Sequence, residues 1–186
     1  MNLEDLQNDT NKKEKLLASL EVVKQLISPL SLSLRGSWVE VLLGNEEIAL
    51  SDIDIQIMVN NQQDHEILEW VVEKMKNSGY NITKEHQAKY VVTKWGECFD
   101  MHIVKKEWDF YVEHSQQWDF FFPQEAYKYE YDIRYLSPEI MLLMAKGSKN
   151  NNEKNMQRRA RLETLCSEEI TEILWKKFKF VKNENR

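Results

Sequence analysis

The sequence predicts an α+β fold, in which a small mixed β-sheet has helices packed on it and is followed by a C-terminal helical part. Helical and strand-like apolar periodicities alternate through the first part of the chain. The last part carries helical patterns separated by short polar breaks. Of the 186 residues, 42% are hydrophobic and 30% are charged, a balance typical of a globular chain. This order of elements favours one sheet covered by helices.

The first elements follow from apolar spacing and from stop signals. Residues 13–28 repeat apolar side chains at helical spacing, and Pro29 ends that helix. A short strand is expected over residues 32–34. A helical turn follows over residues 38–43, with Gly44 as its stop. The chain therefore passes from a helix through a strand into a second, short helix.

The central elements supply most of the expected sheet. β-Branched residues over 53–59 predict a strand. Residues 64–78 carry their apolar side chains on one stripe, as an amphipathic helix does. Three further strands are expected over residues 81–85, 89–94 and 98–104.

Aromatic and acidic residues crowd the segment 108–135, and its pattern assigns no regular structure. Core packing accounts for at least half of the rings, and the others suit the wall of an acceptor pocket. The acids there would suit a cationic acceptor, although a charged surface is the simpler interpretation. After this segment, Ser137 as N-cap and Pro138 at the first helical position begin a helix. Two more helices are expected over residues 154–166 and 168–180.

Charge and composition restrict the partners. The formal net charge is −6, from 25 Lys and Arg against 31 Asp and Glu, so we expect no nucleic-acid partner. No apolar run reaches the roughly 20 residues of a membrane span, and the polar N-terminus is unlike a signal peptide. We therefore expect a soluble, cytoplasmic protein without a membrane partner. Cys98 and Cys166 are interpreted as reduced thiols, with a disulfide left open.

Asp52 and Asp54 form the most informative pair. They are two positions apart in a predicted strand, so both side chains project from one face. Two neighbouring carboxylates repel each other unless a cation lies between them. Their hard oxygen ligands suit Mg²⁺, which binds one or two carboxylates together with substrate phosphates. An isolated Asp-x-Asp pair is nevertheless common on protein surfaces.

Two further features strengthen the interpretation of this pair. Gly36 and Ser37 stand where a strand gives way to a helix, a place where backbone N–H groups are free to bind phosphate. Asp100 supplies a third carboxylate in a later strand, and His102 shares its face. If that strand lies beside the Asp54 strand, the carboxylates converge, and Asp100 can ligate a metal or accept a proton. For His102, an ordinary structural hydrogen bond is about as well supported as a functional role.

The order Gly36-Ser37, Asp52-Ile53-Asp54 and Asp100-Met101-His102 resembles the DNA-polymerase-β-type nucleotidyltransferase superfamily. Within it, the chain is most similar to the small nucleotidyltransferases that modify lincosamide and aminoglycoside antibiotics, over roughly residues 15–165. One departure is the basic run over residues 154–159, where an acidic residue is often expected.

This resemblance implies a nucleotidyltransferase core over residues 1–135 and a C-terminal helical region over residues 136–186. It implies an Mg²⁺-dependent enzyme that moves an NMP, expected to be AMP, from ATP or another NTP to a hydroxyl of a small molecule. Family analogy alone suggests a homodimer. The alternatives are a catalytically silent or antitoxin-type protein of this fold, and an enzyme that modifies a protein or tRNA.

The resemblance also implies roles for individual residues. Asp52 and Asp54 would be metal ligands, and Asp100 would be a metal ligand and the general base. The nucleotide-binding candidates are Gly36, Ser37, Lys146 and Lys149. The two lysines are equally well interpreted as solvated residues near a helix end.

Overall fold

The computed structural model describes residues 12–45, 48, 52–94, 97–147 and 152–182. Within these ranges the chain forms an α+β structure, which confirms the predicted fold class. No helix in the described ranges is long and apolar enough to cross a membrane. Both cysteines are free thiols, as expected.

Six helices and ten strands follow one another through the described residues, with a short 3₁₀ turn between the seventh and eighth strands. The helices are α1 (Lys12–Ile27), α2 (Ser37–Leu42), α3 (Gln62–Asn77), α4 (Pro138–Gly147), α5 (Glu153–Leu165) and α6 (Glu168–Lys177). The strands are β1 (Ser31–Leu34), β2 (Ile53–Val59), β3 (Asn81–His86), β4 (Lys89–Lys94), β5 (Glu97–Glu107), β6 (Phe110–His114), β7 (Trp118–Pro123), β8 (Tyr127–Glu130), β9 (Ile133–Leu136) and β10 (Lys179–Lys182).

All ten strands belong to one mixed sheet. Its main path has the order β10-β7-β6-β5-β2-β1-β9-β8, and the β3–β4 hairpin joins it at β5. β2 lies in the interior, antiparallel to β1 and parallel to β5. β5 is long enough to pair with β4 through its first part and with β6 through its last three residues. The longest described strand therefore connects the middle of the sheet to the aromatic hairpins.

Apolar side chains of β2 anchor the core under the helices. Ile55 and Ile57 are fully buried, as is Trp38 of α2. α1 contacts β1, α2 and α3, while α2 and α3 contact β2. On the strand that carries Asp54, alternate apolar residues thus face a helical layer, as strand periodicity predicts.

The segment left without assigned structure forms β6 to β9. Its rings are divided between core and surface: Tyr111 and Phe122 are buried, whereas Trp108 is 93% exposed. Trp108 has a positive φ of 56° at the turn between β5 and β6. Much of the aromatic content therefore builds the sheet.

The last predicted helix extends too far. α6 ends at Lys177, and β10 returns to the sheet, where it pairs with β7 and places Phe180 opposite Phe120. Phe178 packs in the core against Phe120 and Phe122. Aromatic residues alternate with lysine here, and this period of two fits a strand better than a helix.

Candidate active site

Asp54 and Asp100 meet across two parallel strands. β2 and β5 pair in register, with Asp54 directly opposite Asp100 and Gln56 opposite His102. The convergence expected if the two strands were neighbours is therefore present. Asp52 stands one residue before β2, in a bend rather than in the strand. The two strands thus bring together side chains that are far apart in the chain.

The carboxylates form two overlapping groups that share Asp100. One group consists of Asp52, Cys98 and Asp100, and the other of Asp54, Asp100 and His102. Within each group, one ligand atom from every residue lies within 4.8 Å of the others. Asp100 Oδ1 is buried and has no hydrogen-bond partner in the described part of the chain. An unpartnered carboxylate oxygen among hard oxygen donors fits a divalent cation.

Lys89 of β4 neutralises part of this charge. Its Nζ lies 2.6 Å from Asp100 Oδ2 and 3.0 Å from a carboxylate oxygen of Glu85. Burial raises the pKa of Asp100, Lys89 lowers it, and the charges of Asp52 and Asp54 raise it again, so that the net pKa is above its ordinary value. A carboxylate with a raised pKa is a stronger base for accepting a proton.

Gly36 packs directly against Asp54. The backbone of Gly36 has a φ of +73°, and it precedes Ser37, the first residue of α2. A Cβ atom at this position would lie 2.2 Å from Asp54 Oδ2. The N–H of Arg35 donates to the backbone carbonyl of Asp54 at 2.9 Å. Glycine is therefore required for the backbone to pass this close to the carboxylate.

A network of buried and partly buried charged side chains contacts Asp54 through His102. His102 lies between two carboxylates, with Nε2 3.4 Å from Asp54 Oδ1 and Nδ1 2.9 Å from Glu113 Oε1. Arg35 Nη1 donates to Glu113 Oε2 at 2.6 Å, and Gln56 donates to the same oxygen at 3.4 Å. These contacts hold the His102 ring in a fixed orientation beside Asp54.

The network shifts the pKa values of its acids downward. Burial would raise the pKa of Glu113, but the charge of Arg35 and the hydrogen bond of His102 lower it to about 2. Burial also raises the pKa of Asp54, but the His102 hydrogen bond and the Arg35 charge outweigh it and hold that pKa below its ordinary value. Both acids are therefore carboxylates at neutral pH.

No family model and no curated protein sequence matches this chain, but several solved structures do. The crystal structure of ANT(2″)-Ia in complex with adenylyl-2″-tobramycin has a TM-score of 0.55 at 16% identity, and the similarity covers 84% of this chain and 94% of that one. The solution structure of the same antibiotic-resistance factor has a TM-score of 0.56 at 16% identity, covering 85% and 89%. The chain has the nucleotidyltransferase fold.

A larger neighbour shares this fold. The Megavirus polyadenylate synthase has a TM-score of 0.50 at 15% identity, and the similarity covers 88% of this chain but 34% of the synthase. At such low identities the likeness concerns the fold alone. The similarity therefore assigns no role to any individual residue of this chain.

Of the two lysines expected near the nucleotide, the structure describes only Lys146. Lys146, near the end of α4, is about half exposed, and its Nζ lies 2.9 Å from Glu163 Oε1 of α5. Its contact with a triphosphate stays a prediction. Lys149 lies outside the described residues.

Sequence reasoning did not identify three groups of the site. Glu113 was placed with the acids of the aromatic segment, yet it is buried beside His102. Lys89 was expected only to be part of a strand. Gln56 could have been found, because it stands two positions after Asp54 and so shares its face.

Proposed function

We propose that this protein is an Mg²⁺-dependent nucleotidyltransferase that moves an NMP, expected to be AMP, from an NTP to a hydroxyl of a small molecule. The observation that carries the proposal is the pairing of Asp54 with Asp100 in adjacent parallel strands, with Asp52 beside them. The nucleotidyltransferase fold of the chain supports the same reaction class.

Asp52, Asp54 and Asp100 would hold the metal, because their oxygens are the hard donors that Mg²⁺ prefers. When bound, Mg²⁺ would neutralise charge on the phosphates of the nucleotide. Gly36 and Ser37 would border the polyphosphate, since the backbone there passes close to Asp54. The site would thus place the α-phosphate beside the carboxylates.

Asp100 would serve as the general base. It would accept the proton of the acceptor hydroxyl, whose oxygen then bonds to the α-phosphorus. The bond from that phosphorus to the oxygen bridging to the β-phosphate breaks, and pyrophosphate leaves. The raised pKa of Asp100 suits this role.

We propose an aminoglycoside or lincosamide antibiotic as the acceptor. ANT(2″)-Ia, which has a similar fold, was solved with an adenylylated tobramycin. Several acids of the aromatic segment are already engaged, however: Glu113 pairs with Arg35, Glu125 with Lys177, and Asp119 with His114. Recognition of a cationic acceptor by this segment would therefore depend on exposed acids such as Asp109 and Glu130.

The test is incubation of the protein with Mg²⁺, mixed NTPs and a panel of aminoglycosides, lincosamides and other hydroxylated molecules. We expect pyrophosphate release and an acceptor whose mass increases by one NMP. Protein and tRNA acceptors belong in the same panel, because labelling of either would assign the alternative acceptor class. If no acceptor is labelled and no pyrophosphate appears, the proposed enzyme activity is wrong.

A further inference from the structure

Helix α5 is fixed against the start of the site by an ion pair. Arg161 of α5 donates from Nε to Glu40 Oε2 at 2.9 Å. Glu40 is fully buried and belongs to α2, the helix that begins beside Gly36. The pair therefore ties one face of α5 to the helix that begins beside Gly36.

Arg158 stands one helical turn before Arg161, on the same face of α5. Its Nε is buried and has no hydrogen-bond partner in the described part of the chain, and no described carboxylate forms an ion pair with it. The neighbouring arginines differ, since Arg159 donates to the carbonyl of Ala145 and Arg161 to Glu40. Among the described residues, Arg158 is thus a half-buried cation whose Nε has no hydrogen-bond partner.

Charged groups of the site act on Arg158, which lies on the face of α5 that is tied to α2. Burial and the positive charge of Arg35 lower the pKa of Arg158, while the charges of Glu40 and Asp54 partly offset this effect. Glu40 Oε1 also has no hydrogen-bond partner among the described residues, and Arg158 does not donate to it. A half-buried guanidinium that is repelled by a second cation and donates to no described carboxylate is costly unless an anion joins it.

We propose that Arg158 binds the polyphosphate of the NTP. This inference rests on the proposed function and assigns a further binding residue to the same site. A guanidinium presents donors that fit phosphate oxygens, and phosphate would satisfy the buried N–H group. Arg158, one residue of the basic run over residues 154–159 that departs from the family pattern, then has a use in this chain.

The experiment measures the affinity of the full chain for ATP, AMP and inorganic tripolyphosphate by calorimetry with Mg²⁺. We expect Arg158→Gln to weaken ATP and tripolyphosphate binding by about 10- to 100-fold, the range for a charged hydrogen bond, while AMP changes by less than about 3-fold. Arg158→Lys should recover part of the loss. Lys154→Gln removes an exposed charge from the same helix and serves as the matched control.

Thermal unfolding separates this role from a structural one. Arg158→Met removes a half-buried charge with no partner among the described residues, so its melting temperature should equal that of the wild type or exceed it. If Arg158 only held α5 in place, the melting temperature would fall and ATP and AMP binding would weaken together, which would overturn the proposal.

The outcomes also distinguish this inference from the proposed function. If the wild type binds ATP and Arg158→Gln binds it equally well, Arg158 is not a phosphate ligand, while the enzyme proposal stands. If tripolyphosphate binding depends on Arg158 but no NTP is bound, the anion site is supported and the proposed function is wrong. If the wild type binds neither ligand, both are wrong.

Discussion

The carboxylate of Asp54 occupies the space into which a side chain at Gly36 would project, since a Cβ there would lie 2.2 Å from Asp54 Oδ2. The position of one proposed metal ligand is therefore limited by the backbone of another element. Any substitution at Gly36 must move either that backbone or the carboxylate.

Gly36→Ala should lower the free energy of unfolding by about 3 kcal/mol, because it combines a positive φ with steric overlap. It should also abolish detectable transfer. Gly44→Ala is the matched control: Gly44 has a φ of +99°, but a Cβ there would meet nothing within 4 Å. Its cost should be about 1 kcal/mol, from φ alone. If urea unfolding shows the same loss of stability for both variants, steric overlap with Asp54 does not contribute to the effect of Gly36→Ala.

Asp54→Asn should reduce transfer by at least about 100-fold, because the reaction loses a charged ligand and with it several kcal/mol of charge stabilisation. Its circular dichroism spectrum should match that of the wild type. Glu66→Gln, at an exposed position of α3 away from the site, should retain full activity. Rates of pyrophosphate release measure both effects, and undiminished turnover by the Asp54 variant would exclude the proposed metal site.

Lys89→Gln should tighten divalent-cation binding by roughly 10-fold in the absence of nucleotide, because the ammonium group 2.6 Å from Asp100 competes electrostatically with a metal. Electron paramagnetic resonance of Mn²⁺ measures this affinity directly. Lys106→Gln removes an exposed lysine near the far end of β5 and should leave the affinity unchanged. Weaker Mn²⁺ binding by the Lys89 variant would mean that the lysine supports the site instead of competing with the metal.

Glu113 should make the protein sensitive to acid. Its pKa is lowered from 4.5 to about 2, so its stabilisation is fully present above pH 4.5 and is lost as the pH falls toward 2. Linkage gives a contribution on the order of 3 kcal/mol. Urea unfolding from pH 7 to pH 2 should show a steeper loss of stability for the wild type than for Glu113→Gln. The variant should also be less stable at pH 7, because Arg35 and His102 lose their partner.

Glu66→Gln is the control for this series, because Glu66 is exposed on α3. Its pH profile should follow that of the wild type. If Glu113→Gln has the same slope as the wild type below pH 4.5, the buried network does not account for acid unfolding.

Periodicity is sufficient to predict the strands that carry Asp54 and Asp100, whereas Asp52 lies in a bend just before its strand. The strands with Asp54 and Asp100 have clear alternation or β-branched composition, and the amphipathic stripe of α3 separates them along the chain. The sequence does not predict that these two strands are adjacent in the sheet, because strand order depends on contacts between distant segments. The same limit applies to Lys89 and Glu113, which reach the site from β4 and β6 through pairing with β5.

The strands after β5 escaped assignment for a different reason. Aromatic residues occur there on both faces of β7, so neither a period of two nor a period of 3.6 dominates. Arg158 was noticed in the sequence only as part of a basic run. Its location near Asp54 depends on the ion pair between Arg161 and Glu40, which links α5 to α2 and which no local pattern reveals.

The parallel pairing of β2 with β5 has a consequence for how the site forms. Two parallel strands need a crossover connection, and here α3 and the β3–β4 hairpin form it. Asp54 and Asp100 therefore come together only when this long connection has closed. Contacts between such distant segments make folding slow, because loop closure must precede them. A cation bound between these strands has no site in the unfolded chain. Rising Mg²⁺ concentrations should therefore raise the melting temperature, because the cation would bind the folded chain and not the unfolded one.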